Sequence, residues 1–308
     1  MAVEVGIVGL SNAGKTTLFN ALTSAGATTP GQVHVGMAPV EDARLDQVAA
    51  TVGARKATPA SLRLVDVPGT GAQRLGNLRR VDSLLAVLDG WSETRNPQDD
   101  LVALELELLL ADREHVERRR ERVAKQAKSG DAELRREVGD LERVLDHLDA
   151  ERPLSEFPGA LPRELEPLTV KPLIAVVNGP AGIDAKLEAE LAELPAEEAE
   201  AFRERPSARA EVVGRLFEAL EVVTFFTASE KEARAWTLRR GRTALDAAAA
   251  VHTDLARGFI RCEVVRWDDL VAAGSQSEAA RRGVMRLEGK AYIVEDGDVL
   301  YVRFSPPR

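Results

Sequence analysis

Apolar runs alternate with amphipathic stretches along the first 180 residues of the chain. Four runs consist almost entirely of Val, Leu, Ile and Ala, which is typical of strands buried on both faces of a parallel sheet. They are Val3–Leu10, Leu62–Val67, Leu84–Asp89 and Leu173–Asn178. Thr16–Leu22 and Asp46–Val52 have helical patterns, whereas residues 24–38 are rich in Gly, Thr and Pro and are predicted to form a loop. This alternation predicts a three-layer α/β domain with a parallel sheet.

Residues 101–150 have a different pattern, rich in Leu, Glu and Arg. Leu134, Val138, Leu141 and Leu145 recur at spacings of three and four, and the segment 129–131, Ser-Gly-Asp, interrupts the helical pattern. The pattern predicts an antiparallel helical hairpin with coiled-coil-like packing, inserted into the α/β domain. The Arg run at 118–120 is either a solvated face of this hairpin or a contact for an acidic partner.

After residue 222 the pattern changes to short strands around one helix. Strands are predicted at Val222–Phe226, Phe259–Val265 and Val299–Phe304, and a helix at Ala244–Thr253. This favours a compact α+β domain with a mostly antiparallel sheet. We therefore expect an α/β domain at 1–110 and 166–222, a helical insertion at 111–165 and a C-terminal domain at 223–308.

The charge of the chain is uneven. The net charge is −9, yet residues 224–308 contain 14 Lys and Arg against 12 Asp and Glu. This segment is compatible with a surface that faces RNA, although a mixed-charge solvated surface explains it equally simply, and the acidic total argues against DNA binding. One cysteine excludes an internal disulfide. No apolar run is long enough to span a bilayer, and the first residues lack the basic start of a signal peptide, so we expect a cytoplasmic protein without membrane contact.

Residues 9–16 have the most specific pattern in the chain. They read Gly-Leu-Ser-Asn-Ala-Gly-Lys-Thr, which matches G-x-x-x-x-G-K-[ST] between a predicted strand and a predicted helix. In such a loop, backbone N–H groups surround phosphate oxygens, Lys15 reaches the β- and γ-phosphates, and the hydroxyl of Thr16 binds Mg²⁺. The helix that follows begins at the phosphates, where its dipole favours negative charge. The residues predicted to bind nucleotide are Ser11, Asn12, Ala13, Gly14, Lys15, Thr16 and Thr17.

Asp66 ends the second apolar strand and begins the sequence Asp-Val-Pro-Gly. A carboxylate at this edge of the sheet is where Mg²⁺ needs a further contact, and the N–H of Gly69 can bind the γ-phosphate. We therefore predict Thr16 and Asp66 as the metal-binding residues. The residue after Gly69 is Thr70, where many hydrolases of this type have a Gln that orients the attacking water. Hydrolysis is accordingly expected to be slow or to be assisted by another group.

Asn178 ends the last of the four apolar strands, where an Asn-x-x-acid motif would recognise the base. The position expected to hold the acid is Ala181. A carboxylate there would accept hydrogen bonds from guanine, so its absence removes the simplest basis for GTP specificity. Asn178 remains a predicted nucleotide-binding residue, with ATP or GTP as the ligand.

With these motifs the chain resembles the YchF subfamily of Obg-related P-loop GTPases and ATPases. Besides the phosphate loop, seven segments carry the resemblance: residues 39–46, 127–131, 224–228, 232–236, 252–254, 258–261 and 287–292. The last five resemble the family's C-terminal TGS domain, which has a ubiquitin-like β-grasp fold. The resemblance implies a slow NTPase that prefers ATP, carries a coiled-coil insertion and acts in association with the ribosome or its RNA.

The chain also departs from the family pattern. The segment 27–34 is shorter than the family's switch I and lacks its Thr-Ile element. About 25–30 residues that would follow Asn178 are missing, and the family's Asn-x-x-Glu is replaced by Asn-Gly-Pro-Ala. Asn12 stands where some relatives that lack the Gln hold K⁺, which makes K⁺ a candidate ligand. Two functions therefore remain open: a nucleotide-dependent switch that hydrolyses nucleotide, or a degenerate member that serves as a binding or adaptor protein with weak or no hydrolysis.

Overall fold

The computed structural model describes residues 3–23, 32–67, 72–128, 131–202 and 207–305. The chain divides into two compact units. The P-loop unit comprises Glu4–Gly36 and Leu64–Ala208, and the C-terminal unit comprises Met1–Val3, Met37–Arg63 and Arg209–Arg308. These units place residues 37–63 with the C-terminal residues, whereas the predicted domain boundaries placed them in the α/β domain. Those boundaries stay a prediction.

The described residues form eleven strands and twelve α-helices. The strands are β1 (Glu4–Val8), β2 (His34–Pro39), β3 (Ala57–Thr58), β4 (Ser61–Asp66), β5 (Ser83–Asp89), β6 (Leu173–Asn178), β7 (Val222–Ala228), β8 (Ala233–Arg239), β9 (Phe259–Arg266), β10 (Arg286–Glu288) and β11 (Asp298–Phe304). The helices are α1 (Lys15–Thr23), α2 (Ala43–Val52), α3 (Ala72–Asn77), α4 (Pro97–Ala127), α5 (Ala132–Asp149), α6 (Ala185–Leu191), α7 (Ala196–Ala201), α8 (Ala208–Ala219), α9 (Ala244–Val251), α10 (Thr253–Arg257), α11 (Trp267–Ala273) and α12 (Gln276–Arg281).

The five-stranded sheet has the order β2-β4-β1-β5-β6. β5 pairs in parallel with β1 and with β6, and the last pair in the β5–β6 register joins Asp89 to Asn178. Every residue of β5 is buried, which explains its continuous apolar run. On one face, Leu84 and Leu88 pack in a cluster with Leu104 and Leu108 of α4. The predicted α/β class is therefore confirmed, and the parallel strands end at a common edge.

The predicted helical hairpin is formed by α4 and α5. Asn96 caps α4 and is followed by Pro97, which suits the first helical turn because its missing N–H would have no intrahelical partner. Asp131 caps α5 by accepting from the N–H groups of Glu133 and Leu134. The helices enclose a core of their own that includes Val116, Val123, Leu141, Val144, Leu145 and Leu148. The spacing of the leucines thus predicted correctly which face of the hairpin helices is packed.

The C-terminal unit contains the six-stranded sheet, whose order is β10-β9-β11-β7-β8-β3. β9 pairs antiparallel with β10 and β11, β7 pairs antiparallel with β8, and β11 runs parallel to β7. Helix α9 covers the core of this sheet, which includes Phe225, Cys262 and Val264. The predicted β-rich C-terminal domain is therefore present. None of the helices in the described residues is long and apolar enough to cross a membrane.

One loop prediction was wrong, and three strands were not predicted. Residues 24–31 lie outside the described residues, but His34–Pro39 forms the edge strand β2. Its Gly and Pro content favoured a loop, whereas its alternation of exposed Val35 and Met37 with buried or half-buried neighbours has the period of a strand. The unpredicted strands are β3, β8 and β10, of which β8 has a burial pattern that alternates only in part.

Candidate nucleotide-binding site

Residues 9–14 turn tightly between β1 and α1. Gly9 and Gly14 have φ angles of +143° and +90°, which only glycine adopts without strain. A Cβ at Gly9 would lie 2.3 Å from the carbonyl oxygen of Val87, and a Cβ at Gly14 would lie 2.2 Å from Nδ2 of Asn178. Asn12 has a φ of +65°, a left-handed conformation that Asn tolerates better than most residues. The loop is therefore held closely against the ends of β5 and β6.

Lys15 and Thr16 begin α1 at the base of the loop. The ammonium of Lys15 donates to the carbonyl oxygen of Leu10 at 2.7 Å, so it lies across the loop. The hydroxyl of Thr16 donates to Oδ2 of Asp66 at 2.7 Å, which joins the first turn of α1 to the end of β4. The two predicted metal-binding residues are thus brought together, although they are 50 positions apart in the chain.

The residues around Asp66 fit a magnesium ion. Thr16 is exposed, whereas the carboxylate of Asp66 is 2% exposed, so the pair offers hard oxygen donors at an opening. Mg²⁺ is usually held by one or two such side chains together with water and substrate phosphates. Within the described residues there is no group of three His, Cys, Asp or Glu side chains that could hold a metal ion. His34 lies close by, with Nδ1 3.8 Å from Oδ2 of Asp66.

Asn178 connects the phosphate loop with the chain that follows β6. Its Nδ2 donates to the carbonyl oxygen of Ala13 at 3.0 Å. Its Oδ1 accepts from the backbone N–H of Ala185 at 3.2 Å and lies 3.4 Å from Nε1 of Trp91. The side chain is 9% exposed. The structure therefore places this predicted nucleotide-binding residue against the loop itself, where it supports the loop and the first turn of α6.

Three residues at and after the end of β5, namely Asp89, Trp91 and Arg95, belong to the same region but were not identified from the sequence. Asp89 accepts from the N–H groups of Trp91 and Ser92, and the guanidinium of Arg95 donates to the carbonyl oxygen of Ser11 at 3.1 Å. The indole of Trp91 is 53% exposed beside Asn178. No local motif marks these residues. The one available signal was their position at the carboxyl end of a strand next to β1, where ligands of parallel sheets bind.

The remaining predicted positions are divided between described and undescribed residues. Ser11 and Asn12 are exposed at the mouth of the loop, Ala13 is buried beneath it, and Thr17 is half-buried on α1. Gly69 and Thr70 lie outside the described residues. The geometry thus brings the glycine-containing loop and the oxygen pair of Thr16 and Asp66 together at one edge of the sheet.

Comparisons with known proteins agree with this geometry. Residues 4–124 match a family model described as a 50S ribosome-binding GTPase, and residues 222–305 match the YchF GTPase C-terminal model, described as a protein of unknown function. The "Ribosome-binding ATPase YchF" of Bacillus subtilis (strain 168) is 34% identical over 365 aligned positions, which cover 99% of this chain and 100% of the relative. The chain belongs to the YchF family. The protein of the same name from Escherichia coli O157:H7 is 33% identical, with coverage of 99% and 100%.

The fold of a solved YchF protein is also similar. The structure of the Schizosaccharomyces pombe YchF GTPase superimposes with a TM-score of 0.80 at 23% identity, covering 98% of this chain and 97% of the other. The alignment to the Bacillus relative is longer than the 308 residues of this chain. This YchF family member therefore lacks segments that the relative contains.

Proposed function

We propose that the chain binds a nucleoside triphosphate with Mg²⁺ and hydrolyses it slowly, and that the bound nucleotide controls association with the ribosome. The observation that carries the proposal is the junction of the phosphate loop with the pair Thr16–Asp66, whose oxygens lie 2.7 Å apart. Residues 11–17 would hold the phosphates, Gly69 would contact the γ-phosphate, and Thr16 and Asp66 would hold the ion. The ion would neutralise charge that develops on the phosphate oxygens.

In this site the base would be recognised less specifically than the phosphates. Both polar atoms of the Asn178 side chain have partners within the protein, and the acidic position is Ala181. The exposed indole of Trp91 offers a stacking surface that every base can use. We therefore propose weak discrimination between bases, with ATP as the physiological ligand because the curated relatives are named ATPases.

Calorimetric titration of the full chain with ATP, GTP, ADP and GDP in Mg²⁺ tests this proposal. We expect binding of ATP with at most a modest preference over GTP, and loss of at least tenfold in affinity for Lys15→Ala, because one charge-assisted phosphate contact is removed. Arg80→Ala is the matched control, since this arginine is exposed in the same unit. Phosphate release that does not change in Lys15→Ala would contradict the proposed hydrolysis.

A degenerate adaptor is the second candidate function. It is favoured by Lys15, whose ammonium contacts Leu10 within the loop, and by the missing acid at position 181. The same titration separates the two candidates, because an adaptor would bind nucleotide weakly or not at all and would release no phosphate. K⁺ dependence stays a prediction that rests on Asn12 alone, and replacing K⁺ by Na⁺ during the phosphate-release assay tests it.

Ribosome association is proposed from the names of the relatives, with the tip of the helical hairpin as its surface. Residues 118–136 contain eight Lys and Arg against three Asp and Glu, in a chain whose net charge is −9. Two arginines are paired with carboxylates, namely Arg113, which precedes this stretch, and Arg119, which lies within it. At the tip, Arg122, Lys125 and Lys128 are exposed. A net positive surface of this kind attracts the phosphates of ribosomal RNA.

Co-sedimentation with ribosomes at increasing salt tests this surface. Replacing Arg122, Lys125 and Lys128 together by alanine should weaken association and reduce the salt dependence, because fewer counterions are released. Arg143→Ala, at an exposed arginine that pairs with Asp140 on the same hairpin, is the control. Equal co-sedimentation of the triple variant and the wild type would exclude the tip as the contact. The same association would place the protein in the cytoplasm.

A further inference from the structure

Arg95 lies at the mouth of the phosphate loop, on the segment that joins β5 to α4. Its Nη1 donates to the carbonyl oxygen of Ser11 at 3.1 Å and lies 3.7 Å from Oδ2 of Asp89. Its Nε lies 3.4 Å from Oδ1 of Asp100. The guanidinium therefore touches the loop on one side and two carboxylates on the other.

Two buried carboxylates lie beside the guanidinium of Arg95. Asp89 ends β5, is 9% exposed, and has its Oδ1 occupied by the N–H groups of Trp91 and Ser92. Asp100 lies in the first turn of α4 and is 7% exposed. Both acids are held by secondary structure, so these ion pairs and the hydrogen bond to Ser11 restrict the conformations of Arg95, which reduces the side-chain entropy lost when it contacts a ligand.

Arg95 nevertheless retains binding capacity. A guanidinium has five N–H donors in a planar fork, and the contacts found within the described part of the chain use Nη1 and Nε but not Nη2. The side chain is 29% exposed, although its two acidic neighbours are buried. The N–H donors of Nη2 are thus available to a phosphate oxygen beside the loop.

The proposed hydrolysis needs such a group. The residue after Gly69 is Thr70, so the side-chain amide that usually orients water is absent from this position. In phosphoryl transfer most of the acceleration comes from positive groups placed where charge accumulates on the transferred phosphoryl. We propose that Arg95 supplies this charge from within the chain, by binding oxygens of the γ-phosphate as it is transferred to water.

The step balances without a further reactant. The oxygen of water forms a bond to the γ-phosphorus, and the bond from that phosphorus to the β–γ bridging oxygen breaks. The bridging oxygen keeps the electron pair and leaves on the diphosphate, while a proton of the water passes to the phosphate oxygens or to solvent. Arg95 stays protonated throughout and contributes only charge and hydrogen bonds. This role rests on the proposed function, since it requires a bound triphosphate.

Arg95→Ala and Arg95→Lys in the full chain test the role, with Arg80→Ala as the control. We expect single-turnover phosphate release from ATP to fall on the order of 10²-fold in Arg95→Ala, and less in Arg95→Lys, which keeps the charge but loses the fork. Affinity for ADP should stay within about twofold, because the diphosphate is held by the loop. Affinity for ADP with fluoroaluminate, which imitates the transferred phosphoryl, should fall in proportion to the rate. Added guanidinium should partly restore the rate of Arg95→Ala.

The outcomes separate this role from a structural one. If Arg95 merely stiffened the loop, Arg95→Ala would weaken ADP binding by the same factor as the rate, and guanidinium would not restore the rate. Either that result or an unchanged rate would overturn the inference. If the wild type binds ATP but releases no phosphate, the inference fails while nucleotide binding stands. If the wild type binds no nucleotide, the proposed function fails as well.

Discussion

Asn178 offers the most direct test of how the phosphate loop is supported. Asn178→Ala removes the donor to Ala13 and the acceptor for Ala185, at 3.0 and 3.2 Å. Ala13 is 1% exposed and Ala185 is fully buried. The substitution therefore leaves one buried carbonyl and one buried N–H without their present partner.

The expected cost follows from these two groups. A buried polar group that loses its partner costs about 1–3 kcal/mol, so the two together should lower the free energy of unfolding by about 2–6 kcal/mol. The contact with Trp91 is 3.4 Å long and its indole is exposed, so it adds little. Because the carbonyl belongs to the loop, affinity for ADP should also fall at least tenfold, in contrast to the expectation for Arg95→Ala.

Urea unfolding followed by circular dichroism, with calorimetric titration of ADP, measures both effects. Asn77→Ala is the control, since Asn77 is exposed in the same unit. Asn178→Asp should be as harmful as Asn178→Ala, because it places an oxygen against the carbonyl oxygen of Ala13. A loss below about 1 kcal/mol in Asn178→Ala, with unchanged ADP affinity, would refute the reasoning.

Three further substitutions probe other parts of the chain. Asp66→Asn should reduce the Mg²⁺ dependence of ATP binding, measured by titration at several Mg²⁺ concentrations, because it removes the charged ligand. Asp112→Ala should lower the free energy of urea unfolding by about 3–5 kcal/mol, since it leaves buried Arg79 without its ion pair. The third concerns Asp296. Burial raises the pKa of this carboxyl, but hydrogen bonds from Arg44 and from the backbone N–H of Thr224 outweigh that effect. The pKa therefore lies below its ordinary value of 3.8. Its ionised form therefore stabilises the fold, and Asp296→Asn should cost about 1 kcal/mol at pH 7, after allowance for its partial exposure. In urea titrations across pH, that difference should shrink as the pH falls below about 4.

The parts of the fold that could be predicted depend on short stretches of sequence. Strands β1 and β5 lie inside the sheet and are buried almost throughout, so they appear as nearly continuous apolar runs. The hairpin was predicted because its leucines follow the helical period over many turns. Strand β2 was missed because it is a short edge strand with Gly and Pro, and edge strands need fewer apolar residues.

In the site, too, the local features could be predicted from the sequence, whereas the long-range contacts could not. The phosphate loop is a local structure, so Gly14, Lys15 and Thr16 could be assigned from spacing alone. Arg95 approaches Ser11 from 84 positions away, and this contact depends on the length and path of the segment after β5. No periodicity or motif encodes such a contact. The sequence therefore predicted the residues of the loop, but not the arginine that contacts it.

The position of α6 supports the proposal that this site discriminates weakly between bases. The helix begins only seven residues after Asn178, and its first N–H group binds the Asn178 side chain. An amide whose oxygen and nitrogen are both engaged by the protein contributes little to the choice between adenine and guanine, which differ in the donors and acceptors of their edges. Discrimination by a polar site depends on buried groups that the wrong ligand leaves unpaired, and neither Asn178 nor Ala181 offers one. The phosphates, by contrast, meet a loop whose shape requires glycine at two positions. Binding energy in this family member should therefore come mainly from the phosphates, so that ATP and GTP differ less in affinity than either differs from adenosine or guanosine.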